Sequence, residues 1–164
     1  MAEDFGKRGI GNRTAPCALS GMEVYVVIGD AWDVPEYKTL GSAGMDLYAN
    51  NKEAIMIKPG ERKLIPTGLK MSIPVGYEMQ IRPRSGLVKE HGVTVLNAPG
   101  TVDSDYRGFI GIILYNAGER NFYVNRGDRI AQGVFTEVTQ CTFVEVDSLD
   151  ETERGAGGFG STGK

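Results

Sequence analysis

The stretch from Asn97 to Gly108 reads Asn-Ala-Pro-Gly-Thr-Val-Asp-Ser-Asp-Tyr-Arg-Gly and brings an amide, two carboxylates and an aromatic ring close together. An asparagine side chain carries both a donor and an acceptor, which suits the polar edge of a flat base. Tyr106 offers an aromatic face to a sugar, and Asp103 can accept a hydrogen bond from water and take its proton as attack begins. Pro99-Gly100 is turn chemistry, so the stretch is expected to form a hairpin lip. It lies between Val93–Leu96 and Phe109–Leu114, two runs of strand character. Upstream, Arg84 supplies a permanently charged, forked donor and Ser85 a hydroxyl. If Ser85 caps a short helix that Gly92 stops, its free backbone N–H groups add an anion site beside Arg84.

These residues need a rigid frame, and the pattern from Met22 onward supplies one. Short apolar runs (Val24–Ile28, Ile55–Ile57, Lys63–Ile65, Lys70–Ile73, Tyr77–Ile81) alternate with Pro59-Gly60, Pro66-Thr67-Gly68 and Pro74-Val75-Gly76. Many short strands at close spacing indicate an all-β sandwich or barrel with one short helix. The 23 glycines fit that class, because turns and bulges need residues that tolerate positive φ. Residues 1–20 lack periodicity and are expected to form a flexible arm. Residues 21–149 form the β domain, and the Gly-rich residues 150–164 form a second arm, mobile until a ligand orders it.

The chain has 164 residues, 41% hydrophobic and 24% charged, the profile of a single globular domain. Its formal charge of −3 gives no general attraction to nucleic-acid backbones, so phosphate binding must be local. Cys17 and Cys141 have neither disulfide-framework nor metal spacing, which suits a reducing, cytoplasmic setting. No apolar run reaches membrane-spanning length, and no secretory signal is expected.

Five segments, in order, resemble the motifs of the trimeric dUTP diphosphatase (dUTPase) family. They are Ala43–Ala49, Arg82–Leu87, the Asn97–Gly108 stretch, Gly127–Gln132 and Arg154–Gly163. The resemblance spans about residues 22 to 164. It implies a jelly-roll-like, dUTPase-like β-clip subunit and a homotrimer with shared active sites. The implied reaction is Mg²⁺-assisted hydrolysis of dUTP to dUMP and pyrophosphate, limiting uracil in DNA and supplying dUMP for dTMP synthesis. Neither nucleic acid nor membrane is an expected partner.

The same resemblance assigns roles. Asn97, with backbone groups of Gly100, Thr101 and Val102, would read uracil, and Tyr106 would pack on deoxyribose. Asp103, six residues after Asn97, would activate water against the α-phosphorus. Arg84, Ser85, Gly86 and Gln132 would hold phosphates. Asp46 would hold a metal-bound water or order the site, and Mg²⁺ needs no dense protein ligand cluster for such binding. From the tail, Arg154 would reach the γ-phosphate, Ser161 and Thr162 would add donors, and Phe159 with Gly160 would close over uracil. Asp105 is left as a turn or intersubunit residue.

Two positions depart from the family pattern. Phe109 stands where many relatives carry an acidic residue, and Gly133 where a larger apolar residue is usual; neither is expected to touch substrate. The nearest rival is a dCTP deaminase of the same fold, which needs a carboxylic acid beside the pyrimidine; Phe109–Leu114 contains none. A non-catalytic nucleotide-sensing binder is a second rival, disfavoured as a sole role by an intact Asp103 and a full fifth motif.

Overall fold

In the computed structural model residues 21–158 are described. The expected N-terminal arm, residues 1–20, and the tail residues Phe159, Gly160, Ser161 and Thr162 lie outside the described residues. The elements are β1 (Tyr25–Val27), β2 (Met45–Tyr48), β3 (Ile55–Ile57), β4 (Arg62–Pro66), β5 (Lys70–Ser72), β6 (Tyr77–Arg82), α1 (Ser85–His91), β7 (Val93–Val95), β8 (Gly100–Val102), β9 (Gly111–Asn116), β10 (Phe122–Val124) and β11 (Arg129–Glu137). The protein is all-β, as its sequence pattern predicts. Three strands lie outside the runs read from the sequence: β2, β8 and β10.

Two antiparallel sheets build the body, with strand orders β2-β11-β6-β8 and β4-β9-β7, and the pairs β1-β5 and β10-β3 flank them. Alternation drives this arrangement, since successive side chains on a strand point to opposite faces. β9 alternates strictly, burying Ile112, Leu114 and Asn116, and β7 buries Val93 and Val95. From the other sheet Leu47, Met79, Ile81, Val102 and Ile130 join the same core. β11 breaks alternation by burying both Ile130 and Ala131, because a register shift between Arg129 and Ala131 adds an unpaired residue. The buried Asn116 is fully used: its Nδ2 donates to the Ile57 and Arg120 carbonyls, and its Oδ1 accepts from the Gly118 N–H.

The expected hairpin lip is more than a turn. β7 and β9 pair antiparallel, but the chain between them leaves their sheet and pairs as β8 with β6 in the other. Pro99-Gly100 therefore leads into a strand instead of closing a two-strand hairpin. The gap opened where the chain crosses between sheets is a cleft.

The helix also differs from expectation at its start. Arg84, extended at φ −93° and ψ 126°, is the N-cap residue and makes no side-chain cap bond, while Ser85 is already helical. The C-terminus behaves as predicted: Gly92 takes the left-handed φ of 68°, and a Cβ there would meet the Gly118 backbone at 2.7 Å.

Candidate active site

The cleft left by the crossover has a volume of about 330 Å³. Its lining includes Asn97, Gly100, Thr101, Val102, Asp103 and Tyr106, six of the residues singled out from the sequence. Core side chains from both sheets, Ile81, Val95 and Ile112 among them, form its apolar floor. Gly100 matters here for space: a Cβ on it would lie 3.1 Å from Asn97 Nδ2, so the amide lies across a bare backbone. Asp103 follows β8 directly and opens a turn closed by the Tyr106 N–H donating to its carbonyl at 3.2 Å. That turn turns the Tyr106 ring back over Gly108, where a Cβ would collide with it, and the hydroxyl donates to the Phe109 carbonyl at 3.0 Å. Asp105 lies exposed in the same turn.

A second group forms around β11. In the order β2-β11-β6, Gln132 is paired with Asp46 on one side and Arg82 on the other. Gln132 Nε2 donates to the Pro83 carbonyl at 2.9 Å, fastening the exit of β6 that carries Arg84, Ser85 and Gly86. Gly44 leaves room for this amide, since a Cβ there would lie 2.5 Å from Gln132 Oε1. Asp46 accepts from two arginines, Arg84 Nε at 2.9 Å and Arg129 Nη1 at 3.3 Å. Arg84 Nη1 also donates to the Arg129 carbonyl at 2.8 Å. Ser85 and Gly86 are exposed at the helix start. Strand order thus gathers Asp46, Arg84, Ser85, Gly86 and Gln132 from three separate segments. Arg84 and Arg129 also face a second hollow of about 600 Å³, lined as well by Lys38, Tyr48, His91 and Tyr123.

The cleft and this cationic group occupy opposite sides of one sheet. Met45, Gly133, Ile81 and Gly100 form a row across β2, β11, β6 and β8 that faces the core and the cleft. Asp46, Gln132 and Arg82 form the next row, and adjacent rows face oppositely. No residue lines both the cleft and the hollow beside Arg84.

Arg154 joins neither: it is exposed, and its Nε donates to the Gly157 carbonyl at 2.9 Å. Two residues gain roles that the sequence reading missed. Arg129 shares Asp46 with Arg84; its place in the Gly127–Gln132 segment was the available signal. Phe109, expected to be away from the ligand, lines the cleft. Gly133 is explained by packing, because a Cβ there would lie 2.7 Å from Met79 Sδ and Met79 already fills the space.

Among the described residues no three His, Cys, Asp or Glu side chains are grouped to hold a metal ion. Asp46 is already neutralised by two cations. Such a donor set fits Mg²⁺ carried on polyphosphate oxygens and water, which needs few protein ligands. No helix among the described residues is long and apolar enough to cross a membrane.

A family model described as dUTPase matches residues 30–163. The deoxyuridine 5'-triphosphate nucleotidohydrolase of Caulobacter vibrioides (strain NA1000 / CB15N) is 60% identical over 132 residues, 79% of this chain and 85% of that one. The enzyme of that name from Fusobacterium nucleatum is 52% identical over 146 residues, 89% of this chain and 100% of its own. Among solved structures, the Staphylococcus bacteriophage 80alpha dUTPase with dUpNHpp superposes with a TM-score of 0.78 at 24% identity, covering 87% of this chain and 99% of that one. A dUTPase from phage phi11 of S. aureus, in which a structural Mg(II) ion is coordinated, gives a TM-score of 0.69 at 22% identity, covering 77% and 97%. At those identities the two structures speak to the fold alone.

Proposed function

The chain belongs to the dUTPase family, and on that premise we propose how it hydrolyses dUTP to dUMP and pyrophosphate. Uracil enters the 330 Å³ cleft, where Asn97 and the backbone of Gly100–Val102 meet its polar edge. A site built for one pattern of donors and acceptors rejects bases that leave its groups unpaired. Tyr106 packs on the deoxyribose. Asp103 holds a water and takes its proton as the water oxygen bonds to the α-phosphorus; the bond to the bridging oxygen breaks and pyrophosphate leaves. Arg84, Ser85, Gly86 and Gln132 hold the triphosphate, and Arg129 with Asp46 aims the Arg84 guanidinium. Bound Mg²⁺ supplies neutralisation of phosphate charge, with Asp46 reaching it only through water. Residues 150–164 close over the phosphates, with Arg154 on the γ-phosphate and Phe159 to Thr162 over the nucleotide. The observation that carries this reading is the convergence of Asn97, Asp103 and Tyr106 in one cleft.

The working unit is a homotrimer with shared active sites. Because the cleft and the cationic group face opposite ways on one sheet, a nucleotide spanning both draws them from different chains. The outer face of β4-β9-β7 supports association: Leu64 is paired with Ile113, whose carbonyl accepts from the Leu96 N–H, and Leu64 is 66% exposed. Beyond β11, Phe143, Val144 and Leu149 are also exposed, an apolar surplus that a neighbouring copy would cover. We place the enzyme in the cytoplasm, where an exposed free Cys141 stays reduced.

The test is pyrophosphate release from dUTP, dCTP, dTTP and UTP in parallel, with and without Mg²⁺, with ammonia measured in the dCTP reaction. Release from dUTP alone, dependent on Mg²⁺, is the expected result. Ammonia from dCTP, or no preference for dUTP, would overturn the reading.

A further inference from the structure

Phe109 is half exposed yet lines the cleft beside Tyr106 and Asp103. Its backbone is held by the Tyr106 hydroxyl at 3.0 Å, so the two aromatic residues are tied together at one end of the cleft. Its ring is held as well: Lys70 Nζ lies 4.3 Å from the ring centroid, and a Cβ on Gly29 would lie 3.9 Å from its Cε1. An exposed aromatic ring seldom keeps one orientation unaided, and a cation over its face is attractive enough to bias it. Ile110 and Ile112, next along the chain, continue the apolar surface into the floor.

We infer that Phe109 is a second aromatic wall of the nucleoside cleft, contacting the base–sugar unit of the substrate, and that Lys70 is the positioning residue that holds it there. The inference rests on the nucleotide reading above. A wall that contacts the base and sugar equally in ground and transition states changes affinity and leaves the chemical step alone. Phe109→Ala is therefore expected to raise KM for dUTP roughly five- to tenfold, with kcat within about twofold, and to weaken dUMP binding by the same factor. Phe109→Tyr keeps the ring and restores both values. Lys70→Met raises KM about two- to threefold by loosening the ring, and adds little once Phe109 is already alanine.

Steady-state kinetics with dUTP and calorimetric titration with dUMP on the full chain test this, with thermal unfolding as a control. Unchanged KM and dUMP affinity in Phe109→Ala would overturn the inference, as would a fall in kcat with KM unchanged. Full loss of affinity from Lys70→Met in a Phe109→Ala background would remove Lys70 from its positioning role. A wild-type chain that neither cleaves dUTP nor binds dUMP overturns the nucleotide reading itself, an outcome separate from these.

Discussion

Asp103 gains its role from where β8 ends. Val102 is buried and paired with Met79, so the next residue emerges at the cleft rim with its backbone held by the turn to Tyr106. A carboxylate there can order water without being desolvated. Replacing it with the isosteric amide keeps the contour and removes the base. Asp103→Asn is expected to bind dUTP with near-normal affinity while losing on the order of 10² or more in turnover; single-turnover kinetics alongside equilibrium binding separates the two, and near-normal turnover would dismiss Asp103. Tyr106 makes a different kind of contribution. Its ring is folded over Gly108 and tied to the Phe109 carbonyl, so it is a fixed surface against which a 2′-hydroxyl has no room. Tyr106→Ala should erode selectivity for dUTP over UTP, measured as the ratio of kcat/KM values; an unchanged ratio would contradict the packing on deoxyribose.

The strands decide which of these residues can meet. Much of that was legible: the runs at Lys63–Ile65, Tyr77–Ile81 and Val93–Leu96 carry the two-residue period and correspond to β4, β6 and β7. What was hidden has a physical reason in each case. β8 is Gly-Thr-Val after a proline, too short and too Gly-rich to announce itself, and its partner β6 is settled by tertiary pairing. The register shift in β11 puts Ile130 and Ala131 both inside, a pattern that no strict alternation predicts. Asp46, Arg84 and Arg129 are individually ordinary, and only the order β2-β11-β6 makes them a cluster. Gly133 shows why a departure at one position needs its neighbour read too, because Met79 occupies the missing volume. Gly133→Leu is accordingly expected to destabilise the fold by about 1–3 kcal/mol through overpacking, and adding Met79→Ala should recover most of that loss. Denaturant unfolding of the single and double variants checks it; a harmless single substitution would mean that Met79 moves aside freely.

For the molecule as a whole, the decisive property is that one sheet separates the nucleoside cleft from the phosphate-binding group. Asn97 and Asp103 line the cleft, whereas Arg84 faces the other hollow. A single chain folded this way holds both halves of a catalytic centre and brings them to different ligands. Closed association of identical copies solves the problem, because each copy lends its cleft to one neighbour and its cations to another. The consequence is genetic complementation between dead enzymes. Asp103→Asn spoils the cleft and Arg84→Gln spoils the cationic group, so each variant alone should be nearly inactive. In oligomers mixed at random and in equal amounts, roughly a quarter of the sites pair an intact cleft with an intact cationic group from different chains, so about that fraction of wild-type activity should return. Co-expression with two affinity tags and sequential purification isolates the mixed species, and dUTP turnover per site reads the result. If each chain carried a complete site of its own, the mixture would stay as inactive as its parts, and the shared-site reading would fall with it.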